Sequence, residues 1–278
     1  ALYMQDWDTA IEYASILIDD KKNTFKLADA KTKYNADYTF FDYMWAYDLS
    51  YEIIWRIGFT ETSYGSPLGT VFLNFTKDLT YYYPDYVPAT AALNLYDAAD
   101  LRYSGYFAGK EQGLTIGYTN GLDWPMLVKY YGNRNFTSKL IFHVSMPKPF
   151  RLAEQYLIRA EALCNRTNPD LDDAAADLKA LIARATGKKA EEITLEYSGQ
   201  DGMNALIERE RMRELCFEGH RLLDIARHHQ NLVRDESSSA ITKTLEYPDY
   251  RFVLPICQLE MDSNPAMQQN PGYGGVEE

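Results

Sequence analysis

The 278-residue sequence holds only three cysteines, four histidines and no long apolar run, and each shortage removes a class of chemistry. Cys164, Cys216 and Cys257 are odd in number, widely spaced and without CxxC pairing, so neither a disulfide framework nor a zinc site is expected. Cys164 and Cys216 fall in helical contexts, where free cysteine serves as a small core residue. His143, His220, His228 and His229 do not cluster with the cysteines. His228 and His229 end a helix, where a cation meets the negative end of the dipole and needs no ligand role. Nucleophile elbow, P-loop and glycine-rich dinucleotide turn are all missing. With a net charge of −12 and no Lys/Arg run, a nucleic-acid partner is excluded, while a neutral or cationic ligand is permitted. No apolar stretch is long enough to span a bilayer, and no signal peptide opens the chain. Ala1 is not an initiator methionine and the first residues read as the interior of a helical motif, so the chain is expected to be the carboxyl-terminal part of a longer protein.

What the sequence does have is tyrosine: 23 of them, against 12 Phe and 4 Trp. A tyrosine ring offers an apolar face and a polar edge, which suits surfaces that hold sugars or peptides as well as half-buried cores. Residues 58–88 and 105–150 combine such rings with Gly, Ser, Thr and Pro, as ligand platforms and self-packed loops both do. Sugar rings stack their C–H faces on Tyr or Trp while amides take the hydroxyls. Tyr64, Tyr81, Tyr82 and Trp124 are the candidate ligand-binding rings, with Asn74 as polar partner; the competing reading of each is a ring packed into its own loop core.

In chain order, Trp7, Ala10, Ile11, Ala14, Leu17 and Ile18 lie on one face of a helix capped by Asp6 or Asp8. The run 51–55 reads as a buried strand, and 141–144 as another, stopped by Pro147 and Pro149. Asp97 and Asp100 are read as ion-pair partners of Arg102 rather than metal ligands, because no oxygen-rich calcium loop follows. Residues 151–186 form the clearest unit. Ala153, Leu157, Ala160 and Cys164 stripe one helix, Asn168-Pro169-Asp170 break it, and Ala174, Leu178, Leu181, Ile182 and Ala185 stripe a second that ends at Gly187. This is a helical hairpin of tetratricopeptide (TPR) length. A second hairpin is expected from the helix through Met203 and another over 220–232, and 250–255 reads as extended.

The stretch 208–227, ERERMRELCFEGHRLLDIAR, is the most unusual. Glu210, Arg211 and Glu214 fall on the apolar stripe of Met203, Leu206 and Ile207, so charge faces the interior. Buried ions must be paired, so Glu210, Glu214 and Glu218 need arginines from Arg209, Arg213, Arg221 and Arg227 or from a neighbouring helix. Glycoside hydrolysis would need two carboxylates, one of raised pKa. The pairs Glu154/Glu161 and Glu210/Glu214 each share a helix face among arginines, which lower carboxylate pKa values. They are read as a structural ion-pair network comprising Glu154, Glu161, Glu210, Arg211, Glu214, Glu218, Arg221 and Asp224, with no catalytic residue, metal or cofactor.

The run Glu210-Arg211-x-Arg213-Glu214-Leu215-x-Phe217-Glu218-Gly219-His220-Arg221-x-x-Asp224-x-x-Arg227 resembles the signature of the SusD/RagB family of outer-membrane nutrient-binding lipoproteins. Two further stretches agree with it: RLAEQYLIRAEA from Arg151, and the closing NPAMQQNPGY from Asn264. Leu222 stands where members carry a bulky aromatic. The resemblance implies a mainly α fold of TPR-like hairpins with irregular aromatic-rich loops and a few short strands. It also implies a single domain over 1–278 lacking its N-terminal part. Within it, 1–20 would end a TPR-like unit, 38–150 face the ligand, 151–232 form hairpins and 233–278 pack as a tail. It further implies a lipid-anchored protein, its anchor upstream of this chain, on the extracellular face of the outer membrane. There it would bind an oligosaccharide or polysaccharide and deliver it, without turnover, to a SusC-like TonB-dependent transporter. The alternatives are a peptide-binding member of the same family and a TPR-type scaffold.

Overall fold

The helices form where apolar spacing and caps coincide. In the computed structural model, which describes residues 1–22, 24–65, 67–75, 81–117 and 124–274, Asp6 accepts from Thr9 N to cap α1 (Trp7–Ile18), which buries Ala10 and Ala14. Helix α2 (Phe40–Tyr47) opens with a reciprocal capping box: Thr39 Oγ1 accepts from Asp42 N at 3.0 Å and Asp42 Oδ2 from Thr39 N at 3.3 Å. Strand β1 (Ile53–Trp55) follows, then the one-turn helices α3 (Thr70–Leu73) and α4 (Thr90–Leu93) and the short α5 (Arg102–Tyr106). Strands β2 (Phe107–Ala108) and β3 (Met126–Leu127) pair with each other, α6 (Arg134–Thr137) comes next, and β4 (Phe150–Arg151) returns to pair antiparallel with β1. The long helices are α7 (Leu152–Asn165), α8 (Leu171–Thr186) and α9 (Gly199–Glu214).

Helix α7 is the centre of this first compact unit, Ala1–Glu214, and packs against α1, α8 and α9. Its inner face carries Ala153, Leu157 and Ala160, each with no exposed surface, and small residues there let neighbouring helices approach closely. Asp170 caps α8 by accepting from Asp173 N, and Gly187 at φ 64° closes it in the left-handed conformation that glycine adopts without strain. The expected hairpin over 151–186 is therefore present. A second compact unit, Leu215–Glu278, contains α10 (Arg221–Arg227), the antiparallel pair β5 (Leu232–Val233) and β6 (Thr244–Leu245), and α11 (Gln258–Ser263). Within it Asp224 Oδ1 accepts from Arg227 Nε at 3.0 Å.

Three expectations are corrected. The stretch 141–144 is not a strand: His143 has φ 63° and its backbone passes under Gly132, which has φ 115°. A left-handed residue interrupts the pleat that hydrophobic alternation alone implied. The helix expected over 220–232 stops at Arg227, because His229 turns to φ 53° before β5 begins. The run after Pro248 curls into a 3-10 turn, Tyr250–Phe252, whose start Asp249 fixes by accepting from Arg251 N.

The charged stripe of α9 is buried as its spacing requires: Met203, Ile207, Glu210, Arg211 and Glu214 all face inward. Glu214 meets three guanidinium groups, Arg184 at 2.7 Å, Arg102 at 2.8 Å and Arg151 at 3.0 Å, none of them from its own helix. Arg102 is held by Glu210 at 2.6 Å and bidentately by Asp100 at 2.6 and 2.9 Å, and Arg151 also pairs with Glu52. Arg213 reaches Glu210 from the margin at 3.4 Å, so four cations face four carboxylates. Arg211 approaches Glu154 at 3.6 Å, while Glu161 is buried in α7. Charges this far out of water are tolerated because each is paired, and removing one partner of such a pair costs about 3–5 kcal/mol. The lattice ties α5, α8, α9 and the β1/β4 ribbon together. The Asp100–Arg102 expectation is met, whereas Asp97 instead accepts from Ala99 N in its own turn.

Candidate functional site

Segment 81–83 is pinned between two others. Tyr83 N donates to Asn74 O at 2.6 Å, Tyr82 N to Thr115 O at 2.9 Å, and Gly117 N to Tyr82 O at 3.0 Å. Gly117 is required at this crossing, because a Cβ there would lie 2.7 Å from both Tyr81 and Tyr83. The structure thereby brings Asn74, Tyr81, Tyr82 and Trp124 around one small core of Leu73, Tyr82, Ile116 and Met126. Within that group the roles divide. Tyr82 is only 9% exposed, and its ring belongs to the core, edge-on to Phe75. Burial raises its phenol pKa, and the Tyr131 hydroxyl adds to the shift. Trp124 is half-buried, packs on the cluster and donates its indole N–H to Pro88 O at 2.8 Å. Tyr81 and Asn74 are exposed, and the Asn74 amide makes no hydrogen bond among the described residues. Tyr64 is exposed as well but belongs to a different loop, next to the Thr60–Ser63 bridge.

Behind the cluster His143 is 5% exposed, edge-on to Phe75 and Tyr131. Burial lowers its pKa, so the ring packs in its neutral form. Glu214, at the centre of the lattice, does not offer acid catalysis. Burial by itself would raise Glu214, but Arg184, Arg151 and Arg102 outweigh it and hold the carboxyl well below the usual carboxylate range. A group so held stays ionised and cannot lend a proton near neutral pH. Among the described residues no three His, Cys, Asp or Glu side chains converge in a metal-holding arrangement.

A second concavity was not anticipated from the sequence. A cavity of about 530 Å³ opens between the end of α2, the loop after β1, and α6. Its anchor is Asp48, fully buried at φ 55°, whose carboxylate accepts from Asn133 Nδ2 at 2.8 Å, from Met146 N at 3.1 Å and from Lys148. The Asp48 carbonyl in turn accepts from Arg56 Nη1. Asn133 spends its remaining groups on Tyr47 O and Asn135 N, so the floor is fully hydrogen-bonded. The wall carries Tyr47 and Phe59.

A family model described as the SusD family matches residues 72–273. The chain is 30% identical over 188 residues to the starch-binding protein SusD of Bacteroides thetaiotaomicron, an alignment covering 64% of this chain and 31% of that protein. Among solved structures, a SusD superfamily protein from Bacteroides thetaiotaomicron aligns with a TM-score of 0.71 at 22% identity, covering 96% of this chain and 57% of that one. Surface glycan-binding protein A from the same organism gives 0.70 at 20% identity, with 97% and 61% covered. A SusD superfamily protein from Bacteroides vulgatus gives 0.67 at 22%, with 97% and 56% covered. The chain thus spans about a third of SusD and a little over half of these solved relatives. At such identities the solved structures speak to the fold alone, and that fold is this chain's own, mainly helical with a few short strands. With most of its length matched by the family model and its helical frame shared with solved members, the chain belongs to the SusD family.

Proposed function

We propose that this chain is the ligand-facing part of a cell-surface glycan-binding protein. The whole protein, held by lipid on the extracellular face of the outer membrane, captures oligosaccharides and passes them to a SusC-like TonB-dependent transporter. The observation that carries the reading is the coincidence of two things. The segment matched to the SusD family, 72–273, contains the Asn74–Trp124 cluster, and that cluster presents the exposed Tyr81 ring and the exposed Asn74 amide, which makes no hydrogen bond among the described residues, in one loop frame. Relatives named for starch binding and for surface glycan binding support the ligand class. An aromatic face and a neutral amide bind a sugar without proton transfer, in keeping with capture rather than turnover.

Within the cluster Tyr81 and Trp124 are the rings that meet the glycan, Asn74 supplies the polar contact, and Tyr82 supports them from the core. Tyr64 contributes from the neighbouring loop. Isothermal titration against soluble plant and host glycans tests this. Saturable binding to at least one class is expected, weakened about tenfold by Trp124→Ala or Tyr81→Ala, since one ring stacking on a sugar is worth about 1–1.5 kcal/mol. No heat with any glycan would overturn the ligand class; binding untouched by either substitution would overturn the site.

A further inference from the structure

The cavity beside α2 holds a charge that the fold does not neutralise. Arg56 is half-buried on its wall; one of its N–H groups is given to the Asp48 carbonyl, and among the described residues no carboxylate pairs with it. Arg102, Arg151, Arg159 and Arg184, drawn into the same unit, each face a carboxylate, and half-buried Arg134 lies over the Tyr131 ring at 4.5 Å. A guanidinium has five donors in a planar fork suited to a carboxylate. Arg56 uses one, and its backbone anchor fixes the plane of the rest.

The surroundings define what fits. Phe59 and Tyr47 supply apolar surface, and Asn135, Thr60 and Ser138 bring polar groups to the rim. Lys139 is also there, 54% exposed and paired with Glu61, which is 47% exposed. Exposed pairs of this kind contribute about 0–1 kcal/mol, so the ammonium is readily turned to another anion. Among the lining side chains two cations, Arg56 and Lys139, stand against one carboxylate, Glu61, and the Asp48 carboxylate beneath them is balanced by Lys148, so the local sum is positive in a chain whose net charge is −12. At about 530 Å³ the cavity lies within the roughly 300–1,000 Å³ of small-ligand sites, and its floor is preorganised by Asp48 and Asn133.

We propose that this cavity binds a carboxylate-bearing sugar residue of an acidic glycan. Arg56 forks onto the carboxylate, Lys139 swings from Glu61 toward it, Phe59 packs on the ring face, and Asn135 meets the hydroxyls. The inference rests on the glycan-binding reading above and adds to it a subsite apart from the Tyr81–Trp124 cluster, specific for negative charge.

The test is titration of the protein with oligogalacturonides, glucuronate-containing oligosaccharides and sialyllactose, each beside its carboxyl-reduced form. At least one acidic ligand is expected to bind about tenfold or more tightly than its reduced counterpart. Arg56→Gln removes that preference and Arg56→Lys restores part of it. Because Arg56 also holds the Asp48 carbonyl, Lys139→Glu, on an exposed side chain, provides a variant that leaves the fold intact; it lowers affinity for the acidic ligand and not for the neutral one. Equal affinity for every acidic and reduced pair, with neutral glycans bound, overturns this subsite and leaves the wider reading standing. Absence of binding by all glycans, neutral and acidic, overturns both. A preference for acid that survives both Arg56→Gln and Lys139→Glu overturns the location.

Discussion

Glu214 sits where three guanidinium groups converge, and taking away its charge leaves them facing one another in the interior. Glu214→Gln, nearly the same shape, is expected to lower unfolding free energy by about 3–5 kcal/mol, read from urea melts; a loss under about 1 kcal/mol would show that the lattice is not what holds these elements. The sign of its pH dependence follows from its depressed pKa. The stabilisation is complete above the ordinary carboxyl value of 4.5 and is lost as pH falls from there toward the folded value. Urea midpoints measured downward from pH 7 should therefore drop below pH 4.5 more steeply in the native protein than in Glu214→Gln. Parallel curves would contradict the assignment. That Glu214 had to be paired was legible in its place on an apolar stripe. Its partners were not, because Arg102, Arg151 and Arg184 come from other elements, brought in by tertiary packing.

Helix α3 shows how a short element is held by a single close approach. Gly69 precedes it, and a Cβ at that position would lie 1.9 Å from the Tyr130 carbonyl oxygen and 3.0 Å from His143 Cβ. Backbone cannot swing aside as a side-chain tip can, so Gly69→Ala must push the segment carrying Leu73 and Asn74 off its support. An overpacking cost of about 1–3 kcal/mol is expected, together with weakened glycan binding at the Tyr81–Trp124 cluster; thermal melts and titration on the same sample check both. Unchanged stability would mean that the loop has room to relax. The long elements were the readable ones: α1, α7 and α8 have regular apolar spacing over several turns, with Asp caps on α1 and α8 and a closing glycine on α8. Short elements were not, since 141–144 and 250–255 carry strand-like residues, and left-handed turns and a 3-10 start decide their shape. The candidate site was half legible for the same reason. Tyrosine abundance marked the loops, but whether a ring is core, like Tyr82, or exposed, like Tyr81, depends on which neighbour crosses it.

At the scale of the whole molecule the charge of −12 and the local positive cavity act over different distances. At physiological salt the screening length is about 8 Å, so Arg56 and Lys139 attract an anionic sugar only once it has nearly arrived. Farther out, the approaching ligand meets the field of the acidic chain, which slows encounter. Raising salt screens the long-range repulsion first. The association rate of an acidic oligosaccharide is therefore expected to rise several-fold between about 0.02 and 0.5 M salt, while its dissociation also quickens as the Arg56 contact is screened. A neutral glycan bound at the aromatic cluster should show neither change. Stopped-flow measurements with both ligand types make the comparison directly. An association rate for the acidic ligand that falls with salt would mean that the cavity's own field reaches past the acidic surface and steers the ligand in.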